Sequence, residues 1–302
     1  MRVLRSLDDV PPTPRGRSLA VGTFDGVHLG HRRVIGSAIE RGRSQGLDVA
    51  VVTFDPHPLR VLSPENPPLL LTSTAVKLDL IAGLGVDEAI VIPFTEEFSR
   101  LPAERFCNDV LERSLRARHV SVGENFRFGH AAAGDAGLLR DCTEFETEVV
   151  PLLEMEGGPV SSSRIRTLIQ SGDVGAARRL LGAPFQLEGV VVGGDARGRE
   201  LGMPTANVEP EPDVIIPAIG VYAGLARGYA AAINVGVRPT FESDGRILVE
   251  AHLLDYEGDL YGEVLRLEFL ERLRDEERFD SAEELVGQMR RDVERVRQLA
   301  GR

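Results

Sequence analysis

The chain has 302 residues, 42% of them hydrophobic and 27% charged, with a formal net charge of −12. That length carries about two domains at ~100–200 residues each, and the composition is that of an ordinary globular protein. The acidic balance argues against nucleic acid as the main partner, because gripping a phosphate backbone takes concentrated Lys and Arg.

A nucleotide substrate is still compatible with that charge, since a few local arginines and Mg²⁺ suffice for a triphosphate. No apolar run is long enough to span a bilayer. Residues 1–17 carry charges and three prolines but no apolar leader segment. A cytoplasmic protein with no membrane partner is therefore expected. Cys107 and Cys142 are isolated in sequence, so neither a disulfide framework nor a structural zinc site is expected.

The first half alternates strand-like and helix-like segments. Strands are predicted at 18–23, 49–54, 88–93, 119–122 and 147–152, and helices at 32–45, 75–84, 102–115 and 136–143. Apolar strands alternating with amphipathic helices imply a parallel sheet covered on both faces. Such sheets bind ligands beyond the carboxyl ends of their strands, and the motifs fall at those ends.

The first is VGTFDGVHLGH, Val21 to His31. Gly22, Asp25 and Gly26 turn the chain out of a buried strand, and His28 and His31 follow one helical turn apart. Strand, glycine turn and helix start make an anion site, because free N–H groups and the helix dipole point at the ligand. The alternative is a tight turn with a surface histidine pair. In TFDPHP, Thr53 to Pro58, two prolines leave His57 in an open loop, either as part of a stiff turn or as a ligand contact. VGENFRFG, Val122 to Gly129, carries Asn125 between two glycines; Phe126 and Phe128 beside it are equally compatible with core. VSSSRIR, Val160 to Arg166, places hydroxyls at a helix start. Ser161 and Ser162 suit N-capping there, but Arg164 and Arg166 in the first turn oppose the helix dipole by ~0.3–1 kcal/mol each. A second anion site offsets that cost.

Short helices are predicted at 164–170 and 174–181, and the domain boundary is placed at 183: residues 1–183 form the first domain and 184–302 the second. The second half has short β-rich runs at 185–192, 206–208, 220–226, 229–235, 247–254 and 263–269. With no helices between them, a small antiparallel barrel is expected. Leu285, Met289, Val293 and Val296 then repeat with helical spacing, predicting a terminal helix packed on the barrel. In GDARGRELGMPTAN, Gly194 to Asn207, Gly194 and Gly202 let the backbone approach a ligand. Thr205 and Asn207 follow with strand spacing and face the same way; a hydroxyl and an amide oxygen suit Mg²⁺ arriving with ATP. Along VEAHLLD, Val249 to Asp255, Glu250 shares a face with His252, either toward solvent or into the barrel mouth. No Walker-type phosphate loop occurs anywhere in the chain.

These motifs, with NVGVRPTF (Asn234 to Phe241) and DLYG (Asp259 to Gly262), occur in one order. The set closely resembles the bacterial bifunctional riboflavin kinase/FAD synthetase family over nearly the whole chain. The resemblance implies an N-terminal Rossmann-like nucleotidyltransferase domain with a parallel sheet and a C-terminal six-stranded riboflavin kinase barrel with a terminal helix. It implies phosphorylation of riboflavin to FMN, then adenylylation of FMN to FAD. His28 and His31 would contact the ATP phosphates; Gly22, Phe24, Asp25, Gly30, Asn125, Ser162, Ser163, Arg166, Gly194 and Gly202 would complete the ATP and phosphate sites. Asp25 is compatible with orienting the loop or with holding Mg²⁺ through water. Thr205 and Asn207 would bind Mg²⁺, and Glu250 would be the general base. The chain departs from the family pattern at Ser163 (usually Thr), Met203 (usually Phe) and Pro159, where many relatives are basic. The expected partners are ATP, riboflavin and FMN, with the protein a monomer or weakly self-associating. Two rivals remain: a nucleotidyltransferase for another phosphate ester, and a flavin-binding regulatory protein.

Overall fold

The computed structural model describes residues 1–193, 203–237 and 247–301. The chain divides into two compact units, Met1–Pro68 with Thr74–Ser161 and Leu69–Ser73 with Ser162–Arg302.

In the first unit, among the described residues, β1 (Arg2–Leu4), β2 (Arg17–Val21), β3 (Asp48–Asp55), β4 (Glu88–Pro93), β5 (Ala117–Gly123) and β6 (Glu146–Val150) form one parallel sheet in the order β1-β4-β3-β2-β5-β6. The helices are α1 (Leu29–Gln45), α2 (Pro58–Leu62), α3 (Thr74–Ala82), α4 (Glu96–Ser99), α5 (Ala103–Arg105) and α6 (Ala136–Asp141); π-helical turns at Phe106–Ser114 continue α5. Alternation along the strands splits the core. Leu19, Val21, Val52 and Ile92 face Phe106, Val110 and Leu111 on one side. Ala20, Val49 and Val51 face Val34, Ile35 and Ala38 of α1 and Ile81 of α3 on the other. Both faces are covered, so the strands read as continuous apolar runs.

The expected strands are five, and the sheet has a sixth in β1. Its sequence, RVL, is too short to show a period. It pairs with β4 from Arg2 opposite Glu88 to Leu4 opposite Ile90, with Leu4 buried in the core and Arg2 ion-paired to Glu88. After β6, β7 (Glu154–Met155) and β8 (Gly158–Pro159) make a small hairpin. Its turn residues Glu156 and Gly157 both have positive φ, the geometry of a two-residue hairpin loop that follows strand twist. Pro159 thus has a place at the end of this hairpin.

In the second unit, α7 (Ser162–Gln170) and α8 (Val174–Leu181) precede β9 (Phe185–Val192), β10 (Ala206–Pro210), β11 (Gly220–Ala226), β12 (Tyr229–Val237), β13 (Ile247–Leu253) and β14 (Val264–Arg274). These strands close into an antiparallel barrel in the order β10-β13-β12-β11-β14-β9. The barrel is filled by side chains from alternate positions, including Leu187, Ile233, Val235, Val249, Ala251 and Leu267, all at most 1% exposed. Gly224 and Gly189 allow the wall to close: a Cβ at Gly189 would stand 2.4 Å from Glu209 O and one at Gly224 2.5 Å from Glu268 O. The segment Leu69–Ser73 joins this unit through a parallel bridge of Leu70 with Val214. Leu70 N–H donates to Asp213 O and Ile215 N–H to Leu70 O, both at 2.8 Å.

The terminal helix α9 (Ala282–Leu299) is capped by Ser281, whose side chain accepts from Glu284 N–H. Val296 and Val293 pack against Ala223, Ala230 and Leu254 on the outer wall. Ion pairs fix the helix: Arg274 to Asp292 at 2.8 Å and Arg297 to Asp255 at 2.7 and 2.8 Å.

Candidate functional sites

In the first sheet β2 is followed outward on one side by β3 and β4 and on the other by β5 and β6. The strand order therefore reverses at the β2–β5 junction, the crevice where doubly wound sheets take ligands. The loop that leaves the end of β2 runs into α1 at His28, with His31 in the first turn of the helix, and Asn125 follows the end of β5. The sheet thus brings two distant motifs to adjacent strand ends.

The β2 loop is strained. Phe24 (φ 51°), Gly26 (φ 84°) and Val27 (φ 40°) all lie in the left-handed region, which is costly for a β-branched residue such as Val27. Burial holds them there: Phe24 is 2% exposed and Val27 fully buried. The Phe24 ring covers Gly22, where a Cβ would stand 3.0 Å from it. His28 caps α1, its Nδ1 accepting from His31 N–H at 3.2 Å. In a neutral His28 the proton is therefore on Nε2, which becomes a donor. The His28 and His31 rings stack at 3.5 Å between centroids and 16° from parallel, and Phe24 meets His31 edge-on at 5.3 Å. Burial first, then the charges of His28 and Lys77, hold the His31 imidazole well below its ordinary range. A side chain at Gly30 would come within 3.2 Å of the His28 ring. Asp25 is buried in the same loop, 4% exposed.

Asn125 is exposed in the turn after β5, whereas Phe126 and Phe128 belong to the core, stacked at 5.5 Å and continuing to Phe106. Those two are packing residues. His57 caps α2 by accepting from Leu59 N–H. Helix α7 begins at Ser162, so Ser162, Ser163 and Arg166 occupy its first turn and a half. They belong to the second unit, and Arg166 Nε donates to Leu69 O at 2.7 Å.

Lys77 is a residue that motif reading misses. It lies on α3, 7% exposed, at the same face as Ile81 by i, i+4 spacing. A cation on the apolar face of a helix is the signal that points to it.

In the barrel, Asn207 on β10 stands directly opposite Glu250 on β13, and Glu250 directly opposite Asn234 on β12. Directly paired residues share a face, so the three polar side chains form a row across three strands. The row is on the outer face, since Val249, Ala251 and Leu253 take the inner one. On that face Glu250 is half-buried. It lines a cleft of about 690 Å³ whose walls also include Thr205, His252, Tyr256, Arg274 and Met289. His252 Nδ1–H donates to Pro204 O at 2.8 Å, beside Thr205. The cleft is formed where α9 covers the outer wall, so register and helix docking create it together. Gly194 and Gly202 lie outside the described residues.

Residues 10–164 match the FAD synthetase family and residues 181–300 the riboflavin kinase family. The chain is 36% identical over 307 residues to the bifunctional riboflavin kinase/FMN adenylyltransferase of Pseudomonas fluorescens, covering 99% of this chain and 98% of that one. It is 36% identical over 310 residues to the Escherichia coli K12 protein of the same name, covering 100% and 98%. A crystal structure titled macrolide-efflux protein, from Streptococcus pneumoniae, superposes with a TM-score of 0.87 at 34% identity over 98% of each chain. No helix among the described residues is long and apolar enough to cross a membrane. A parallel sheet with its motif loops at the reversal point, a polar row over a closed barrel and full-length similarity converge: the chain belongs to the bifunctional riboflavin kinase/FMN adenylyltransferase family.

Proposed function

We propose that the barrel half phosphorylates riboflavin to FMN with ATP, and that the sheet half adenylylates FMN to FAD and pyrophosphate. We assign the first reaction to residues 184–302 and the second to residues 1–183. The observation that supports the first is the row Asn207–Glu250–Asn234 inside one cleft. The riboflavin 5′-hydroxyl is a weak nucleophile. Glu250 accepts its proton as the oxygen bonds to the γ-phosphorus and ADP leaves, a role that contributes roughly 10²–10⁴-fold. The Thr205 hydroxyl and the Asn207 amide oxygen are hard neutral donors that fit Mg²⁺ carried in by ATP. Bound there, the ion would neutralise charge on the transferring phosphoryl group. His252 steadies the Pro204 carbonyl and with it the Thr205 backbone.

Adenylylation needs no base, because the FMN phosphate is already anionic. Its oxygen attacks the α-phosphorus of ATP, and the bond to the bridging oxygen of pyrophosphate breaks. The residues must align the two phosphates and stabilise the leaving group. His28, whose Nδ1 accepts from His31 N–H, offers its Nε2–H, and the start of α1 adds backbone N–H groups. Ser162, Ser163 and Arg166 supply hydroxyls and a cation from the start of α7. Gly22, Phe24, Asp25, Gly30 and Asn125 complete the proposed ATP site of the sheet unit. The substrates are small molecules, the compartment the cytoplasm, and the protein a monomer or weak self-associator.

Chromatography of the products from riboflavin, ATP and Mg²⁺ tests this. FAD supports both assignments. FMN alone removes the adenylyltransferase, and no product leaves a flavin-binding protein.

A further inference from the structure

The ammonium of Lys77 lies beneath the phosphate loop. Its Nζ donates to Thr53 Oγ1 at 3.2 Å, Phe54 O at 3.3 Å and Thr23 O at 3.4 Å. Thr23 is the second residue after β2, and Thr53 and Phe54 lie just before the last residue of β3, so one side chain joins the carboxyl ends of two neighbouring strands. Thr53 Oγ1 also donates to Thr23 O at 3.0 Å, which closes the network. These three acceptors are uncharged oxygens.

A buried ammonium is costly to desolvate, and an apolar side chain of similar volume at such a position is often neutral or stabilising. Packing alone therefore gives no reason for a cation here. Asp25 and Asp55 act on Lys77 by their charge, yet burial outweighs them and lowers its pKa. The location supplies the reason. Two imidazole rings stacked at 3.5 Å repel one another if both are protonated, so the histidine pair does not furnish a fixed double charge for a polyphosphate. Lys77 sits where such a charge acts on the loop without competing for the ligand's hydrogen bonds.

We propose that Lys77 is a positioning residue for adenylyl transfer: its ammonium ties Thr23, at the head of the phosphate loop, to the end of β3 and provides the fixed positive charge beneath the His28–His31 pair. The proposal rests on reading Val21–His31 as the nucleotide site.

The test uses the full chain and measures both reactions. In Lys77→Met the rate of FMN-to-FAD conversion should fall by about 10²–10³-fold, the usual loss when one preorganised electrostatic group is removed. Riboflavin phosphorylation should stay within about twofold, which also reports that the protein is folded. Lys77→Arg keeps the charge and should recover at least about tenfold of the loss. The His31 imidazole resonance should titrate at higher pH in Lys77→Met than in the parent chain, because a neighbouring positive charge is gone; a merely structural strap leaves that titration where it was. Where Lys77→Met does not fold, the Lys77 ammonium resonance of the parent chain, assigned by its loss in Lys77→Arg, should shift when a non-hydrolysable ATP analogue binds. Unchanged adenylylation in Lys77→Met, or an unmoved ammonium resonance, overturns the proposal. Full adenylylation in His31→Ala instead overturns the reading of the site beneath it.

Discussion

Asn207 and Glu250 stand directly across from each other on β10 and β13, on the outer face of the barrel. Their pairing puts a neutral oxygen donor beside a carboxylate, with Asn234 on the carboxylate's other side. A metal-bound nucleotide and an acceptor hydroxyl need these two kinds of group next to each other.

Glu250→Gln should lower FMN formation by roughly 10²–10⁴-fold, since it removes the proton acceptor and keeps the shape. FAD formation from added FMN should stay near the parent value. Assaying the two steps separately checks this, and a parallel loss of both in a folded protein refutes one reaction per domain.

Gly30→Ala should impair only the sheet half. A Cβ there stands 3.2 Å from Cε1 and Nδ1 of His28, so the ring that caps α1 must shift. A displacement of this kind costs about 10- to 100-fold in rate. The expected outcome is slower FAD synthesis from FMN, with unchanged riboflavin phosphorylation and a near-parent melting temperature. An unaffected FAD rate means that the His28 ring position does not matter.

His31 makes stability depend on pH. Its folded pKa is held well below the ordinary 6.5 by burial and by the charges of His28 and Lys77. At pH below 6.5 the unfolded chain takes up a proton that the folded chain refuses. Stability is therefore whole above about pH 7 and declines as pH falls from there toward the folded pKa, by up to ~1.4 kcal/mol per pH unit. His119, also lowered by burial, adds to the same decline. Urea denaturation at pH 7.5 and 5.5 should show a smaller loss in His31→Gln than in the parent. Equal losses mean that His31 does not carry the effect.

The pair Arg274–Asp292 holds α9 at the cleft, with Gln288 Nε2 adding a bond to Asp292 at 2.8 Å. Asp292→Ala leaves a largely buried guanidinium without its carboxylate. The expected cost is about 1–3 kcal/mol of stability. Both residues line the cleft, so KM for riboflavin should rise while FMN adenylylation is spared. A variant that melts earlier with an unaltered riboflavin KM limits the pair to a structural role.

Hydrophobic period and motif order are local properties, and the sequence by itself determined whatever depends on them. The parallel sheet, the small barrel and the terminal helix were legible, and the motifs that carry His28, His31, Thr205, Asn207 and Glu250 could be picked out, because each is written in neighbouring residues. The strand order that sets β2 against β5, and so Asn125 near the histidine loop, needs pairing between distant segments. Only register revealed that Glu250 faces a cleft on the outer wall, for a strand's alternation tells which residues share a face but not what covers it. The three-residue β1 gave too little pattern to detect. Lys77 belongs to none of the motifs, and the fold put its ammonium among the strand-end oxygens beneath the loop. The physical reason is the same in each case. Local sequence fixes which face of an element is apolar, while long-range packing decides which polar groups meet.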